Sequence, residues 1–366
     1  MINGLKPFRR LAMDQNSEVS KVVGIDQGDV WSHLCELDSA GQLVGRERIR
    51  TTRTAYGKRF GGSSSRRLVL EVGPHSPWSS RLLEELGHEV IVANPRRVKV
   101  IAQADRKTDR VDAETLARLG RADPALLAPI RHGAESFQRD RALLTVREGL
   151  VRSRARLILQ ARGLVKSVGE RLPASSTPAF PRRAREAGLS DLLPGLSDLI
   201  EVVEMLSERI RKLDRDIEQA CEQRYPQTSL LRQVPGVGPI TALAYILKVE
   251  DPTRFAKSRD AGPFFALVPR ERSSGDRRLQ LGIPPRGDAM LRRLLVQASH
   301  YILGPFGPDT DLRRFGLALA ERGGKRAKKR AVIAVARKLA VLLHRLWVSG
   351  EEYEPLRVAN SVAMAA

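Results

Sequence analysis

The chain has 366 residues, of which 42% are hydrophobic and 29% charged, with 63 Lys and Arg against 42 Asp and Glu. These are the proportions of a globular protein long enough for two or three domains, and they exclude extensive disorder. The formal net charge of +21 favours nucleic acid as partner, because a strongly positive protein concentrates polyanions around itself and binds them in a salt-sensitive way.

Other bulk features exclude several classes of protein. The two cysteines, Cys35 and Cys221, are far apart, which argues against a disulfide framework and a cysteine-based zinc site. The N-terminus has no apolar run typical of a signal peptide, and the late run "LAVLLHRLWV" is too short and too interrupted to span a bilayer. We therefore expect a cytoplasmic protein that has no membrane partner.

Residues 1–20 form an N-terminal extension, and residues 21–130 then alternate short strands with helices. "KVVGID", "LVLEVG" and "EVIVANP" are typical of buried strands, and "SPWSSRLLEELGH" predicts a helix that begins at Ser-Pro. Between the first two strands, "WSHLCELDSAGQLVGRERIRT" predicts two strands joined at Ala40-Gly41. This alternation predicts an α/β sheet with helical crossovers.

Four acidic residues occupy the ends of these predicted elements. Asp26 and Glu71 end strands, whereas Asp109 and Asp112 begin a helix. Such positions converge on one edge of an open α/β sheet, where four carboxylates would repel one another unless a hard cation such as Mg²⁺ lay between them. Two such ions can assist cleavage of a phosphodiester. The alternative, ordinary surface acids, is favoured for any one of the four taken alone but not for the set.

Residues 135–225 predict a helical stalk. Leu143, Leu150, Leu157 and Leu164 recur every seven residues, and a second helix repeats apolar residues at alternating spacings of three and four from Leu196 to Ala220. This spacing is typical of a coiled-coil seam. The two helices could pair as an antiparallel hairpin, or each could pair with another protomer, and the sequence leaves both open.

Residues 228–357 predict a mainly helical unit with a Gly-, Pro- and Arg-rich insertion, followed by a tail at 358–366. Gly236 and Gly238 precede a helix in a helix-hairpin-helix-like turn whose backbone amides could bind phosphate; a plain helix start is the alternative. The run "RGGKRAKKR" could bind a nucleic-acid backbone or form a solvated helix face. Its candidate contacts are Lys325, Arg326, Lys328 and Lys329.

Several stretches together resemble one family. They are "GIDQGDVWSH", "LEVGPHSPWSSRLLEELGHEVIVANPRRVK", "RKTDRVDAETLARL", "RDAGPFFALVPRERSSGDRRLQLGI" and the segment from "ILGPFGPDTD" to "LLHRLW". This order of motifs resembles the DEDD transposases of the IS110 family, and within them the IS1111 subgroup, from about residue 22 to residue 357. The resemblance implies an RNase H-like (RuvC-like) domain, a coiled-coil stalk and a mainly α-helical transposase domain.

The resemblance also implies a chemistry. The family's four metal-binding acids fall on Asp26, Glu71, Asp109 and Asp112, with Mg²⁺ as cofactor. Its nucleophilic serine, which forms a phosphoserine link to DNA, falls on Ser274 of "RSSGD", with Ser273 as the alternative. The surrounding arginines suit a scissile phosphate; they are Arg270, Arg272, Arg277 and Arg278.

The partners that the resemblance implies are donor and target DNA, a guide (bridge) RNA that pairs with both, and further copies of the chain as homodimers assembling into tetramers. The expected activity is therefore RNA-guided DNA strand cleavage and exchange. Two alternatives stay open. One is a RuvC-like nuclease or junction resolvase that uses the same acids and water, and the other is a non-catalytic nucleic-acid-binding scaffold.

Overall fold

A computed structural model describes residues 21–94, 109–189, 193–274, 277–285 and 287–357. The side chains of residues 109, 110, 273, 274, 277, 278 and 280 lie outside that description. The chain divides into two compact units, with the boundary between residues 135 and 136. Each unit is described by itself.

The N-terminal unit is built on a five-stranded sheet. Its strands are β1 (Lys21–Gln27), β2 (Trp31–Asp38), β3 (Leu43–Arg50), β4 (Arg67–Glu71) and β5 (Glu89–Ala93). Their order is β3-β2-β1-β4-β5, with β1, β2 and β3 antiparallel and β1, β4 and β5 parallel. The described helices of this unit are α1 (Arg53–Phe60), α2 (Ser76–Glu85) and α3 (Asp109–Ala122).

Both faces of the central strands β1 and β4 are buried, which explains why these strands are almost continuously apolar, whereas the edge strand β3 is largely exposed. On one face Val23, Ile25 and Leu70 pack with Tyr56 and Phe60 of α1 and with Leu83 of α2. On the other face Val22, Val69 and Ile91 pack against Ala113, Leu116 and Ala117 of α3. The sheet therefore lies between two helical layers, and the predicted α/β sheet is confirmed.

The C-terminal unit begins with two long helices, α4 (Glu135–Ser167) and α6 (Leu196–Gln223), separated by the short helix α5 (Phe180–Glu186). Arg147 of α4 donates a hydrogen bond to Asp214 of α6, and Arg154 of α4 donates one to Ser207 of α6. The second contact lies seven residues later on α4 and seven residues earlier on α6. The two helices are therefore antiparallel, and of the pairings left open by the sequence the chain adopts the hairpin. The supercoil expected of the seam stays a prediction.

The remainder of this unit is mainly helical, as expected. Its helices are α7 (Thr228–Arg232), α8 (Pro239–Val249), α9 (Ala261–Phe264), α10 (Ala289–Leu303), α11 (Asp311–Ala320) and α12 (Gly324–Ser349). The core forms around the apolar helix α8, whose Leu243, Tyr245 and Ile246 are fully buried and pack with Leu339 and Leu343 of α12. The Arg-rich insertion forms a hairpin of β6 (Glu271–Ser274) and β7 (Arg277–Gln280), which the sequence pattern did not predict.

Among the described helices, none is both long and apolar enough to cross a membrane. The mixed α/β sheet followed by a helical C-terminal region is thus the observed architecture. The individual boundaries at residues 130, 135, 225 and 228 stay predictions.

Candidate functional site

The ends of strands β1 and β4 bring two of the predicted acids together. The two strands are parallel neighbours, and their register pairs Gly24 with Val69 and Ile25 with Leu70. The next residue on each strand is Asp26 and Glu71, so the two acids occupy the same level at the carboxyl edge of the sheet. Ligands usually bind at that edge of an open α/β sheet.

The direction of helix α3 places the other two acids at the same edge. Near its C-terminal end, Arg121 donates to the carbonyl of Ser39 at 3.0 Å, and the Gly120 carbonyl accepts from Arg67 at 3.1 Å. Ser39 follows the end of β2, which lies beside the first residue of β1, and Arg67 begins β4. The helix therefore runs antiparallel to β1, and its N-terminus, where Asp109 and Asp112 lie, points to the carboxyl edge.

The alternation of side chains along the strands assigns the acids to one face. A Cβ on Gly24 would lie 1.9 Å from the Ala113 carbonyl oxygen, so Gly24 faces α3. Asp26 is two residues further along β1 and shares that face because alternate residues do. Val69 also faces α3, against Gly120, so Glu71 lies on this face too. The structure thus brings Asp26, Glu71 and the start of α3 to one edge and one face.

Asp112 is buried at 9% exposure, beside the Gly24–Ala113 contact, whereas the Asp109 side chain is outside the described residues. Within the described part of the chain, no three Asp, Glu, His or Cys side chains are grouped so that they could hold a metal ion. The donor set nevertheless fits a hard cation, because all four predicted ligands offer carboxylate oxygens. The positive end of the α3 helix dipole lessens the repulsion among those carboxylates.

The loop that follows β4 is ordered by histidine contacts. Trp78 donates its indole N–H to Nδ1 of His75 at 3.1 Å, so the ring proton of a neutral His75 is on Nε2, which lies 3.5 Å from Asp29. His132 Nε2 lies 2.8 Å from the buried Ser76 hydroxyl. Burial, together with the positive charge of Arg81, lowers the pKa of His132. These contacts fix the turn between Glu71 and α2.

The predicted nucleophile, Ser274, is the last residue of β6. It pairs with Arg277, the first residue of β7, and Ser273 pairs with Arg278. The serine and two of the four predicted arginines therefore lie at the turn end of one hairpin. Arg270 and Arg272 are exposed. Because the acids and the hairpin belong to different units, their relative placement stays a prediction.

The Gly236–Gly238 turn is explained in part by packing. Gly236 has φ +85°, in the region that favours glycine, and a Cβ there would lie 3.0 Å from Tyr301 and 3.1 Å from the Ala298 carbonyl oxygen. Gly238 is the N-cap residue of α8, with Pro239 as the first helical residue. Both glycines are exposed, and phosphate binding at their backbone amides stays a prediction.

The basic run at the start of α12 borders a groove of about 1400 Å³ in the C-terminal unit. Its apolar lining residues include Phe315, Ile333 and Leu342. Its cationic lining residues are Arg322, Arg326, Lys329, Arg330, Arg337, Lys338, Arg345 and Arg357. Of the four cations singled out in the sequence, Arg326 and Lys329 line this groove whereas Lys325 and Lys328 do not.

Further cations lie along α12 beyond those expected from the basic run. Arg330 lies four residues after Arg326, and Arg337 lies seven residues after Arg330. This spacing places the three on one side of a helix. That spacing was the available signal. The cations beyond the first turns were not singled out because the basic residues are densest at the start of the helix.

The fold and the site define the class: an α/β unit with acids at its carboxyl edge, joined to a basic helical unit, is typical of nucleic-acid-processing enzymes. A DEDD transposase model of the IS110 group matches residues 23–169. A second model, described as "Transposase IS116/IS110/IS902 family", matches residues 228–309.

Individual relatives match most of the chain. The transposase for insertion sequence element IS1111A of Coxiella burnetii is 30% identical over 349 residues, which is 91% of each protein. A probable family 20 transposase of Pseudomonas aeruginosa is 29% identical over 79% of this chain and 86% of its own length. The transposase for element IS1328 of Yersinia enterocolitica is 28% identical over 76% and 82%. The chain therefore belongs to the IS110/IS116 family of insertion-sequence transposases.

Proposed function

We propose that this transposase cuts and rejoins DNA through a phosphoserine intermediate on Ser274, assisted by Mg²⁺ at Asp26, Glu71, Asp109 and Asp112 and directed by a guide RNA. The observation that supports the acid site is the β1–β4 register, whose last pair, Ile25 with Leu70, immediately precedes Asp26 and Glu71 at the sheet edge. The strand order β3-β2-β1-β4-β5 also supports an RNase H-like fold for the unit.

The four carboxylates would hold the metal, which when bound neutralises the charge that develops on the phosphate during cleavage. Asp26 and Glu71 come from adjacent strands whose backbone hydrogen bonds fix their spacing. Asp109 and Asp112 come from a helix whose first turn stabilises negative charge. The sheet and α3 therefore pre-arrange anionic ligands that would otherwise repel one another.

At Ser274, the hydroxyl oxygen would form a bond to phosphorus while the bond between phosphorus and a deoxyribose oxygen breaks. The serine proton passes to solvent and the departing deoxyribose oxygen takes up a proton, which leaves a deoxyribose hydroxyl. That hydroxyl can attack the phosphoserine in the reverse sense when strands are rejoined. The arginines of the hairpin and its flanks suit a phosphate group in this position, because guanidinium groups bind phosphate oxygens in pairs.

The test is a denaturing gel of end-labelled DNA incubated with protein, guide RNA and Mg²⁺. We expect a protein-linked DNA band that is lost in Ser274→Ala and kept in Ser273→Ala. Loss only in Ser273→Ala would move the nucleophile by one residue. Asp109→Asn should abolish cleavage, and full activity in that variant would reject the metal assignment.

Two alternative functions give different results in the same assay. A nuclease or junction resolvase that uses water gives free ends with no covalent band. A non-catalytic scaffold gives neither, and its binding of nucleic acid is unaffected by loss of the four acids. The covalent band and its dependence on Ser274 therefore distinguish all three.

The cationic groove along α12 supports nucleic-acid binding there. The basic run provides matched cations inside and outside the groove for a test. Replacing Arg326 and Lys329 with Gln removes two groove cations, and replacing Lys325 and Lys328 removes the same charge from the same helical turns outside the groove. We expect the substitutions at Arg326 and Lys329 to weaken DNA or RNA binding. The slope of the binding constant against salt concentration should fall by the equivalent of about two phosphate contacts. An equal loss in the second pair would mean that net charge, and not the groove, governs binding.

Assembly into dimers, and into tetramers on DNA, is part of the same proposal. The α4–α6 hairpin leaves Leu159, Met205 and Val146 exposed at 70%, 49% and 53%, which gives the stalk apolar surface for a second copy. Light scattering on the free protein and on its complex with DNA and guide RNA tests the expectation. A monomer in both conditions would reject it.

A further inference from the structure

A continuous line of side-chain hydrogen bonds lies beneath the carboxyl edge of the sheet, on the face opposite α3. The Gln27 side-chain amide donates to the Tyr56 hydroxyl at 2.8 Å, and that hydroxyl donates to Ser32 at 2.7 Å. The Ser32 and Thr51 hydroxyls are 2.8 Å apart, and Thr51 donates to the Gly28 carbonyl at 3.0 Å.

The direction of these bonds is fixed from both ends. The Gly28 carbonyl can only accept, so Thr51 uses its proton there and must accept from Ser32. Ser32 in turn accepts from Tyr56, and Tyr56 accepts from the Gln27 amide. Each hydroxyl in the line therefore donates once and accepts once, an arrangement in which neighbouring bonds polarise and strengthen one another.

A branch connects the same amide to the other acid-bearing strand. Gln27 Nε2 also donates to Ser79 at 2.9 Å, and the Ser79 hydroxyl donates to the His75 carbonyl at 3.0 Å. His75 belongs to the turn between Glu71 and α2. The network thus connects the backbone two residues after Asp26, at Gly28, and the backbone four residues after Glu71, at His75, to one side-chain amide.

The hydroxyl groups of this network are buried, so losing a hydrogen-bond partner would leave an unsatisfied polar group in the protein interior. Ser32, Tyr56 and Ser79 are fully buried, and Thr51 is nearly so. Burial raises the pKa of Tyr56, hydrogen bonds with Ser32 and Gln27 oppose the rise, and the negative charge of Asp26 adds to it. The Tyr56 hydroxyl therefore lies within the electrostatic reach of the candidate site while packing on the opposite face.

We propose that Gln27 and Tyr56 are positioning residues of the acid site, holding the ends of β1 and β4 so that Asp26 and Glu71 keep the spacing a divalent cation requires. Alternation along β1 directs Gln27 into the network and Asp26 to the α3 face. The proposal rests on the proposed metal site, and it adds a layer of residues that touch neither metal nor DNA.

The experiment measures Mn²⁺ binding to the full-length protein without nucleic acid, by electron paramagnetic resonance of the free ion. Tyr56→Phe keeps the ring and removes one hydroxyl. We expect its Mn²⁺ midpoint to rise by up to about tenfold. Groups that hydrogen-bond metal ligands directly contribute tenfold or more, and Tyr56 acts instead through Gln27 and Ser32. DNA cleavage should recover at high Mg²⁺, which a general loss of folding would not permit.

The matched control is Tyr245→Phe, which removes an equally buried tyrosine hydroxyl, bonded to the Ala340 carbonyl at 2.7 Å, from the other unit. Its Mn²⁺ midpoint should equal that of the wild type. Ser79→Ala provides a second variant that loses only the branch, and it should shift the midpoint in the same direction by a smaller factor.

The variant Asp26→Asn distinguishes failure of the positioning role from failure of the proposed metal site. If Asp26→Asn abolishes Mn²⁺ binding while Tyr56→Phe and Ser79→Ala leave the midpoint unchanged, the positioning role is wrong and the metal site stands. If Asp26→Asn also binds Mn²⁺ as the wild type does, the metal site itself is wrong. A shift in Tyr245→Phe equal to that in Tyr56→Phe would likewise overturn the positioning role.

Discussion

Gly24 allows a close approach between strand β1 and helix α3, and we predict that Gly24→Ala destabilises the N-terminal unit. The added Cβ would lie 1.9 Å from the Ala113 carbonyl oxygen and 2.6 Å from the Ala117 amide nitrogen. Both atoms are backbone, so no side chain can rotate away. The helix must withdraw by about 1 Å or more to restore even a 3.0 Å contact.

Overpacking in a well-packed core costs about 1–3 kcal/mol, and a clash with backbone on both sides of one helical turn should reach the upper end, about 3 kcal/mol. For a unit of this size that is a fall in Tm of about 10 °C or more. The same withdrawal moves Asp109 and Asp112 away from Asp26, so the divalent-cation dependence of cleavage should also shift to higher concentration.

Differential scanning calorimetry of the full-length protein measures the change. Gly45→Ala is the matched control, because Gly45 lies in β3 of the same sheet and a Cβ there meets no atom within 4 Å. A Gly24→Ala variant that melts within about 2 °C of the wild type would refute the claim that this contact sets the distance between sheet and helix.

Three further predictions concern stability. Burial alone would raise the pKa of Glu36, but hydrogen bonds from Lys21 and Arg59 lower it below the ordinary value of 4.5. Its stabilisation is thus present above pH 4.5 and lost as pH falls through the lowered value, and in acid melts Glu36→Gln should flatten that loss. In urea titrations, Val203→Ala, at a buried position, should lower the free energy of unfolding by about 2 kcal/mol. Val202→Ala, at an exposed position, should lower it by under about 0.5 kcal/mol. Asp288→Ala removes both the N-cap of α10 and the ion pair with Arg141, and it should lower the free energy of unfolding by about 1 kcal/mol or more; no change would contradict both roles.

The sequence predicted those elements whose pattern repeats locally. The strands around Asp26 and Glu71, the helix that begins at Asp109 and the long helices at the middle of the chain all follow from apolar spacing and helix-start signals. The hairpin at 271–280 was missed because Leu279 is the only apolar residue in its two strands, so the strands have no apolar alternation.

The sequence by itself determined that the chain is a basic, multi-unit protein with acids at strand ends and helix starts, since these properties depend on composition and on residues close together in the chain. Only the tertiary structure decided that β1 and β4 are neighbours in matching register, and that α4 and α6 fold back on each other. It also decided that Gln27 reaches Tyr56 and Ser79. Strand order, register and helix pairing depend on contacts between distant residues, and local periodicity does not encode which distant partner each segment meets.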